Sequence, residues 1–87
     1  MDIREFSYIL AIVEHGSFTK AANSLYISQP SLSLYIKNME RRLGFAFFNR
    51  TNRKLVLTEE GRVYVEYARK IMELNNDMIE EMERLAV

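Results

Sequence analysis

The sequence contains no cysteine and only one histidine, His15. The missing cysteines exclude a disulfide framework, a thiolate nucleophile and a sulfur-ligated zinc site. One histidine is too few for a histidine-based metal site or catalytic dyad within one chain, and near a helix C-terminus it interacts favourably with the helix dipole. We therefore expect no enzyme activity, no metal site and no other cofactor.

Glycine, proline and long apolar runs are also scarce. There are three glycines, one proline, and no apolar run longer than the six residues 8–13. Six residues are far too few for a membrane span, and the acidic residues near the N-terminus argue against a signal peptide. The 87 residues make one small domain, which buries a modest share of its surface and gains stability from a partner. We expect a cytoplasmic protein.

The net charge is zero, yet the charges are unevenly distributed along the chain. Residues 1–57 hold eight cations and four anions, whereas residues 58–87 hold four cations and eight anions. Residues 20–57 alone hold seven cations and one anion. An ordinary solvated surface is one explanation, but this concentration of cations favours contact with phosphates.

Capping residues and apolar spacing predict three helices in the first half of the chain. The first begins at Asp2 and ends before Gly16, the second begins at Ser17, and the third runs from Ser28 to Gly44. A very short turn separates the second helix from the third. This is the arrangement of a helix-turn-helix, whose second helix can enter a DNA major groove. Helical hairpins of this kind also occur in proteins that never bind DNA.

A hairpin is predicted after the third helix. An aromatic segment and a β-prone segment, with a basic turn between them, favour a two-stranded wing over residues 45–57. The phenylalanines are expected in the core. The tip carries Arg50, Arg53 and Lys54, which are poorly placed for packing and well placed to contact phosphates or the minor groove.

Thr58 is predicted to cap a fourth helix that runs to the end of the sequence, longer than the core of so small a domain needs. An apolar stripe at heptad spacing predicts that this helix pairs with another long helix, and the expected partner is a second copy of the chain. An asparagine within the stripe either fixes the register of the pair or is solvated where the stripe bends. The stripe consists of Tyr64, Ala68, Ile71, Asn75, Met78, Met82 and Leu85.

The third helix is predicted to have one buried and one exposed face. Its exposed face combines small and amide side chains near the start with cations further along. Glutamine can bind adenine through two hydrogen bonds, serine can contact bases or phosphates, and lysine and arginine fit guanine or the backbone. Leu34 on this face either contacts a thymine methyl group or is a tolerated surface leucine. The candidate DNA-binding residues of this helix are Gln29, Pro30, Ser31, Ser33, Leu34, Lys37 and Arg41.

Several short segments of the chain form a further pattern. They are Phe18-Thr19-Lys20-Ala21-Ala22, Ser28-Gln29-Pro30-Ser31-Leu32-Ser33, Ile36, Glu40, Leu43-Gly44, Phe48, Arg50, Arg53 and Leu57-Thr58-Glu59-Glu60-Gly61. In this order they resemble the N-terminal domain of LysR-type transcriptional regulators. The similarity covers almost the whole chain and implies a mainly α fold. It implies a winged helix-turn-helix head over residues 1–57, followed by a linker helix over residues 58–87 that pairs antiparallel with its twofold mate.

The resemblance also implies a function. The chain would be part of a homodimeric bacterial regulator that binds double-stranded DNA at an inverted repeat, with a recognition helix over about residues 28–43 in the major groove. Arg53 would enter the minor groove and Arg50 would lie near the backbone. Members often have arginine where this chain has Leu34, which implies an altered half-site preference. The residues that would contact phosphates are Thr19 or Lys20, and Lys37.

Family members continue into an effector-binding domain, which this sequence lacks. The sequence ends within a helical pattern, so we expect a part trimmed from a longer regulator, with any small-molecule effector bound by the missing domain. The alternative function is a protein–protein interaction module without DNA binding, in which the helical hairpin docks a protein and the long helix dimerises.

Overall fold

The computed structural model describes residues 2–49 and 54–86. In these residues the chain forms the expected winged helix-turn-helix with a long C-terminal helix. It is elongated, 51 Å long and 26 Å by 22 Å across, because the last helix extends beyond the head. The elements are α1 (Ile3–His15), α2 (Phe18–Ser24), α3 (Gln29–Leu43), β1 (Phe48–Asn49), β2 (Val56–Leu57) and α4 (Glu59–Leu85).

Each helix begins after a predicted capping residue, whose side chain accepts a hydrogen bond from the backbone amide three residues later. The capping residues are Asp2, Ser17, Ser28 and Thr58. Such a bond satisfies an amide that lacks an intrahelical partner and is worth about 1 kcal/mol. α1 and α3 end at Gly16 and Gly44, whose φ angles of 67° and 84° are left-handed, as predicted for these C-caps.

The core lies where α1 packs against both α2 and α4. Ala21 and Ala22 are buried, and their small side chains let α2 approach its neighbours closely. Aromatic rings fill the side facing α4, where the Tyr64 ring centroid lies 4.8 Å from that of Phe47 and 5.6 Å from that of Phe6. The long helix therefore supplies part of the core of the head.

The wing is a short antiparallel sheet. Phe48 pairs with Leu57, and Asn49 pairs with Val56. Phe48 is buried, whereas Asn49 and Val56 are exposed, so one side of the wing packs on the head and the other faces solvent.

The start of α4 is fixed to the loop that precedes β1. Thr58 donates its backbone N–H to the Phe47 carbonyl oxygen at 2.9 Å and its hydroxyl to the Ala46 carbonyl oxygen at 2.5 Å. Gly61 lies against the Phe47 carbonyl with no room for a side chain. From α3, the Glu40 carboxylate accepts a hydrogen bond from the Phe47 amide at 2.7 Å. These contacts hold α3, the wing and α4 in fixed relative positions.

A buried carboxylate links α1 to α3. Glu5 is 5% exposed, and the Arg42 guanidinium of α3 donates a hydrogen bond to it. The Tyr64 hydroxyl is buried and has no hydrogen-bond partner among the residues that the structure describes. Burial first, and then the negative charge of Glu5, raise the pKa of Tyr64 to about 12.

The core of the head crosses the expected domain boundary between residues 57 and 58. Tyr64 and Ala68 of α4 are 9% and 0% exposed, and Met72 is half-buried against the same core. Tyr64 and Ala68, which the sequence predicts as members of a dimerisation stripe, pack inside their own chain. The first half of α4 belongs to the head, and the second half projects from it.

Candidate nucleic-acid interface

α3 has the two faces that its sequence predicts. Leu32, Ile36 and Met39 are at most 1% exposed, and the opposite side is polar and basic. The acidic residue of α3, Glu40, is engaged by the Phe47 amide. The predicted DNA-binding residues of α3 are all exposed, apart from the half-buried Ser33: Gln29, Pro30, Ser31, Leu34, Lys37 and Arg41.

The start of α3 carries a side-chain hydrogen bond that orients its amide. Gln29 Nε2 donates to Ser33 Oγ at 2.7 Å, one turn further along the helix. The Gln29 amide keeps one N–H donor and its Oε1 acceptor for another partner. At the same end, the Ser28 hydroxyl donates to Ser31 Oγ at 2.8 Å.

Leu34 lies at the centre of the exposed face of α3 and is 59% exposed. Pro30 precedes it by one turn, and Lys37 and Asn38 follow it by one turn, so these side chains surround it on the helix surface. Asn38 is exposed, and its Oδ1 accepts a hydrogen bond from Arg41 Nη1 at 3.2 Å. Asn38 is not among the predicted DNA-binding residues, although its position four residues after Leu34 places it on the same face.

The second helix adds exposed groups at its first turn. Thr19 and Lys20 are both exposed, next to the cap at which Ser17 Oγ accepts a hydrogen bond from the Lys20 amide at 3.2 Å. Tyr26, in the turn before α3, has a left-handed φ of 59° and is 95% exposed.

The wing contributes Lys54, which is exposed at the edge of the described part. The other two predicted tip residues, Arg50 and Arg53, lie outside the described residues.

α4 has an exposed apolar stripe in a register that differs from the predicted one. Of the predicted members, Ile71, Met78, Met82 and Leu85 are exposed and Asn75 is half-buried. The stripe also includes three residues outside the predicted set, Val63, Tyr67 and Leu74, and each of them is more than half exposed. Heptad spacing alone does not distinguish these three residues from Tyr64 and Ala68, because apolar side chains cover a wide arc of α4. One side of this arc packs in the core, and the other side is exposed.

Residues 2–49 and 54–86 contain neither a membrane-spanning helix nor a candidate metal site. None of the helices there is both long and apolar enough to cross a membrane. The same residues contain no group of three or more histidine, cysteine or acidic side chains that could hold a metal ion.

Known proteins that are similar to this chain share one family. The profile of the family described as bacterial regulatory helix-turn-helix protein, lysR family, matches residues 3–62. A probable RuBisCO transcriptional regulator of Cyanidioschyzon merolae is 49% identical over 75 residues, which are 86% of this chain and 25% of that protein. The HTH-type transcriptional regulator BenM of Acinetobacter baylyi is 40% identical over 86 residues, which are 99% of this chain and 28% of BenM.

The fold agrees with a solved complex from the same family. The crystal structure of the BenM_DBD/benA site 1 DNA complex matches with a TM-score of 0.92 and 40% identity, covering 99% of this chain and 97% of that chain. The chain spans about a quarter of the length of the curated relatives it matches. The family profile, the identities and the fold agree, and the chain belongs to the lysR family of bacterial regulatory helix-turn-helix proteins.

Proposed function

We propose that this chain binds double-stranded DNA sequence-specifically, as the DNA-binding part of a LysR-type bacterial transcription regulator. The observation that carries the proposal is the division of α3 into a buried apolar face and an exposed face of amide, hydroxyl and cationic side chains. A major groove about 12 Å wide admits one such helix. The acidic residue of α3, Glu40, is half-buried, and its carboxylate accepts a hydrogen bond from the Phe47 amide, so it lies off the exposed face of α3.

Gln29 is arranged to bind adenine. Ser33 takes up one Nε2 hydrogen of Gln29, and the remaining N–H and Oε1 match the N7 acceptor and the N6 donor of an adenine. Leu34 has only methyl groups to offer, which suit the C5-methyl group of thymine. We expect A·T pairs at the positions that face these two side chains.

Contacts with the DNA backbone would hold α3 in the major groove. Thr19 and Lys20 on α2 and Lys37 on α3 are exposed and would contact phosphates, which fix the position of a protein on DNA without reading its sequence. Arg50 and Arg53 at the tip of the wing, with Lys54 beside them, would reach the backbone and the minor groove.

Self-association through α4 would present two recognition helices to one duplex. α4 has 27 residues and is about 40 Å long, and its apolar stripe is exposed. A twofold dimer requires an inverted repeat, with its half-sites separated by about one helical turn of 34–36 Å or a multiple of it.

Selection of bound duplexes from a random pool tests DNA binding, symmetry and spacing together. We expect an inverted repeat with A·T pairs enriched in each half-site. If each protomer neutralises about four phosphates, the slope of log K against log salt concentration is about −7. Affinity that does not change between low and physiological ionic strength, or a pool without enrichment, would instead support the protein-interaction module.

Single substitutions separate the contributing surfaces. Lys37→Ala is expected to make the salt slope shallower by about 2 in the dimer, since each copy loses one phosphate contact. Arg69→Ala, at an exposed position on α4, is the matched control and should leave the slope unchanged. Arg53→Ala is expected to weaken duplex binding strongly. If the affinity of this variant for DNA is unchanged, the wing does not take part in DNA binding.

We also propose that the chain has no catalytic activity of its own and acts in the cytoplasm. Its relatives are about four times as long, so a small-molecule effector would bind to a part of a longer protein that this chain does not include.

A further inference from the structure

The turn between α2 and α3 closes with the two hydrogen bonds of a Schellman motif. Tyr26 donates its backbone N–H to the Asn23 carbonyl oxygen at 3.2 Å, and Ile27 donates its backbone N–H to the Ala22 carbonyl oxygen at 3.1 Å. In this motif the residue at the position of Tyr26 has a left-handed backbone conformation, and it is usually glycine. Tyr26 has the left-handed φ of 59°. The chain therefore has a large side chain at a position that favours glycine.

The side chain of Tyr26 is not stabilised by packing in its own chain. A left-handed backbone conformation is sterically disfavoured for a residue with a Cβ atom, and it persists only where other interactions compensate for it. Tyr26 is 95% exposed, so its ring and hydroxyl bury almost no surface against the described residues. The next residue, Ile27, is half-buried and packs against the core. The cost of tyrosine at this position is therefore not offset within the described part of the chain.

Tyr26 lies close to the end of α3 that would enter DNA. It precedes Gln29 by three residues, which span at most about 11 Å. Helix-turn-helix proteins place the N-terminal residues of the recognition helix against the base edges. The major groove is about 12 Å wide, so the residues directly before that helix lie at its edge, beside the sugar-phosphate backbone. An exposed side chain at position 26 is thus within reach of the phosphates.

The surroundings of Tyr26 favour a phosphate over an apolar protein surface as its partner. Asn23, Ser24 and Ser28 flank it and are exposed, so the tyrosine does not belong to an apolar patch. No acidic residue lies between Glu14 and Glu40 in the sequence, and this stretch therefore has no carboxylate that would repel phosphates. The hydroxyl of tyrosine is a hydrogen-bond donor, and tyrosine is among the residues that donate to phosphate oxygens in protein–DNA complexes.

We propose that Tyr26 positions α3 on DNA, and that its hydroxyl donates a hydrogen bond to a phosphate oxygen at the edge of the major groove that α3 occupies. The proposal rests on the proposed DNA binding and adds to it a contact residue in the turn. Tyrosine at this position then lowers the stability of the free chain and raises its affinity for DNA. These two effects have opposite signs and can be measured separately.

Tyr26→Phe removes only the hydroxyl and keeps the ring. Fluorescence anisotropy with a duplex selected from the random pool is expected to show binding weakened about tenfold for each bound copy, because a hydrogen bond to a charged acceptor is lost. Tyr67→Phe is the matched control, since Tyr67 is a 55% exposed tyrosine on α4, and it should leave the affinity for DNA unchanged. Wild-type affinity of Tyr26→Phe for the selected duplex would overturn the proposal.

The salt dependence of binding separates this contact from the cationic ones. A hydroxyl carries no charge and displaces no counterion from DNA. Tyr26→Phe should therefore weaken binding without changing the slope of log K against log salt concentration, whereas Lys37→Ala should make the slope shallower. A shallower slope for Tyr26→Phe would show that the substitution displaces cationic contacts instead of removing one hydrogen bond, and it would overturn the proposal.

Methylphosphonate substitution locates the phosphate that accepts the bond. Synthetic duplexes carry a methyl group in place of one phosphate oxygen, at one position of the selected site at a time. One position in each half-site should weaken binding of the wild type more than binding of Tyr26→Phe, because the variant has already lost the hydrogen bond that this oxygen accepts. Equal losses in the two proteins at every position would contradict a direct contact.

Tyr26→Gly tests the opposite effects on stability and affinity. Glycine adopts the left-handed conformation without steric cost, so the urea midpoint should rise, while binding to the selected duplex should weaken at least as much as for Tyr26→Phe. A residue that only shapes the turn would change stability and affinity in the same direction. A lower urea midpoint for Tyr26→Gly would show that the side chain stabilises the turn and would overturn the proposal.

The wild-type chain distinguishes failure of this contact from failure of the proposed function. If the wild type binds no duplex, the proposed DNA binding itself is wrong. If the wild type binds the selected duplex and Tyr26→Phe binds it equally well, only the contact from Tyr26 is wrong, and its exposed side chain serves a partner other than DNA. Circular dichroism confirms that each variant is folded.

Discussion

Replacing Gly61 by alanine is expected to destabilise the protein, although alanine is the better helix former by about 1 kcal/mol. A Cβ atom at this position would overlap the carbonyl oxygen of Phe47 and would lie 3.0 Å from its carbonyl carbon and 3.1 Å from Thr58 Oγ1. Two of these atoms are backbone, and the third is the cap of α4. None can move aside without separating α4 from the loop before β1.

The hydrogen bonds at this junction give the size of the effect. Moving α4 weakens the bond from the Thr58 amide to the Phe47 carbonyl, 2.9 Å long, and the bond from the Thr58 hydroxyl to the Ala46 carbonyl, 2.5 Å long. Two such bonds are worth about 1–3 kcal/mol together, and overpacking costs about 1–3 kcal/mol more. After subtraction of the helix-propensity gain, the net loss is about 3 kcal/mol.

Urea unfolding followed by circular dichroism measures this loss. Gly16→Ala is the control, because a Cβ atom there meets no atom within 4 Å and the cost comes only from its φ of 67°. That left-handed backbone costs about 1–2 kcal/mol for a residue with a side chain. Gly61→Ala should therefore lose more stability than Gly16→Ala. If Gly61→Ala is as stable as the wild type, the close approach of α4 to Phe47 does not constrain this position.

Three further substitutions test the core and the interface. Tyr64→Phe should leave the free energy of unfolding unchanged or slightly higher near neutral pH, because the hydroxyl is buried without a partner among the described residues. Because the pKa of Tyr64 in the folded chain is raised to about 12, the unfolded chain loses the hydroxyl proton at a lower pH than the folded chain does. The free energy of unfolding of the wild type should therefore fall as the pH rises from about 10 to 12. Urea titrations should show a smaller fall for Tyr64→Phe. Glu40→Gln should lower the free energy of unfolding by about 1 kcal/mol, because the Phe47 amide loses a charged acceptor; an unchanged urea midpoint would contradict this. Replacing thymine by uracil in a selected half-site should weaken binding about fourfold, the worth of one methyl group, and Leu34→Ala should remove this effect in fluorescence anisotropy. If the change from thymine to uracil weakens binding equally in the wild type and in Leu34→Ala, Leu34 does not contact the thymine methyl group.

The beginnings and ends of the helices could be predicted because they depend on local chemistry. Ser17, Ser28 and Thr58 cap the helices, and Gly16 and Gly44 end two of them, as the sequence indicates. A hydroxyl that accepts from an amide three residues away involves only neighbouring residues. The exposed face of α3 could be predicted in the same way, from the spacing of the apolar residues on its buried face.

The register of the α4 stripe could not be predicted, because it depends on what the head covers. Tyr64 and Tyr67 are both apolar enough for a dimer stripe, and the spacing of α4 accommodates either. The aromatic rings of Phe6 and Phe47 decide between them, since they pack on Tyr64 and leave Tyr67 55% exposed. The Gln29–Ser33 hydrogen bond was missed for a different reason, since a helical pattern gives the face on which a side chain lies but not its rotamer.

The continuity of α4 from the core of the head into the projecting arm restricts how the chain can change in length. A single residue inserted between Ala68 and Ile71 would rotate everything beyond it by about 100° and turn the exposed apolar side chains of the arm away from the side of α4 that carries Val63 and Tyr67. Seven inserted residues would restore the face to within about 20° and lengthen the arm by about 10 Å. Insertions and deletions that preserve dimerisation should therefore have lengths close to a whole number of helical turns, such as seven or eleven residues, and each would change the separation of the two recognition helices by a discrete step.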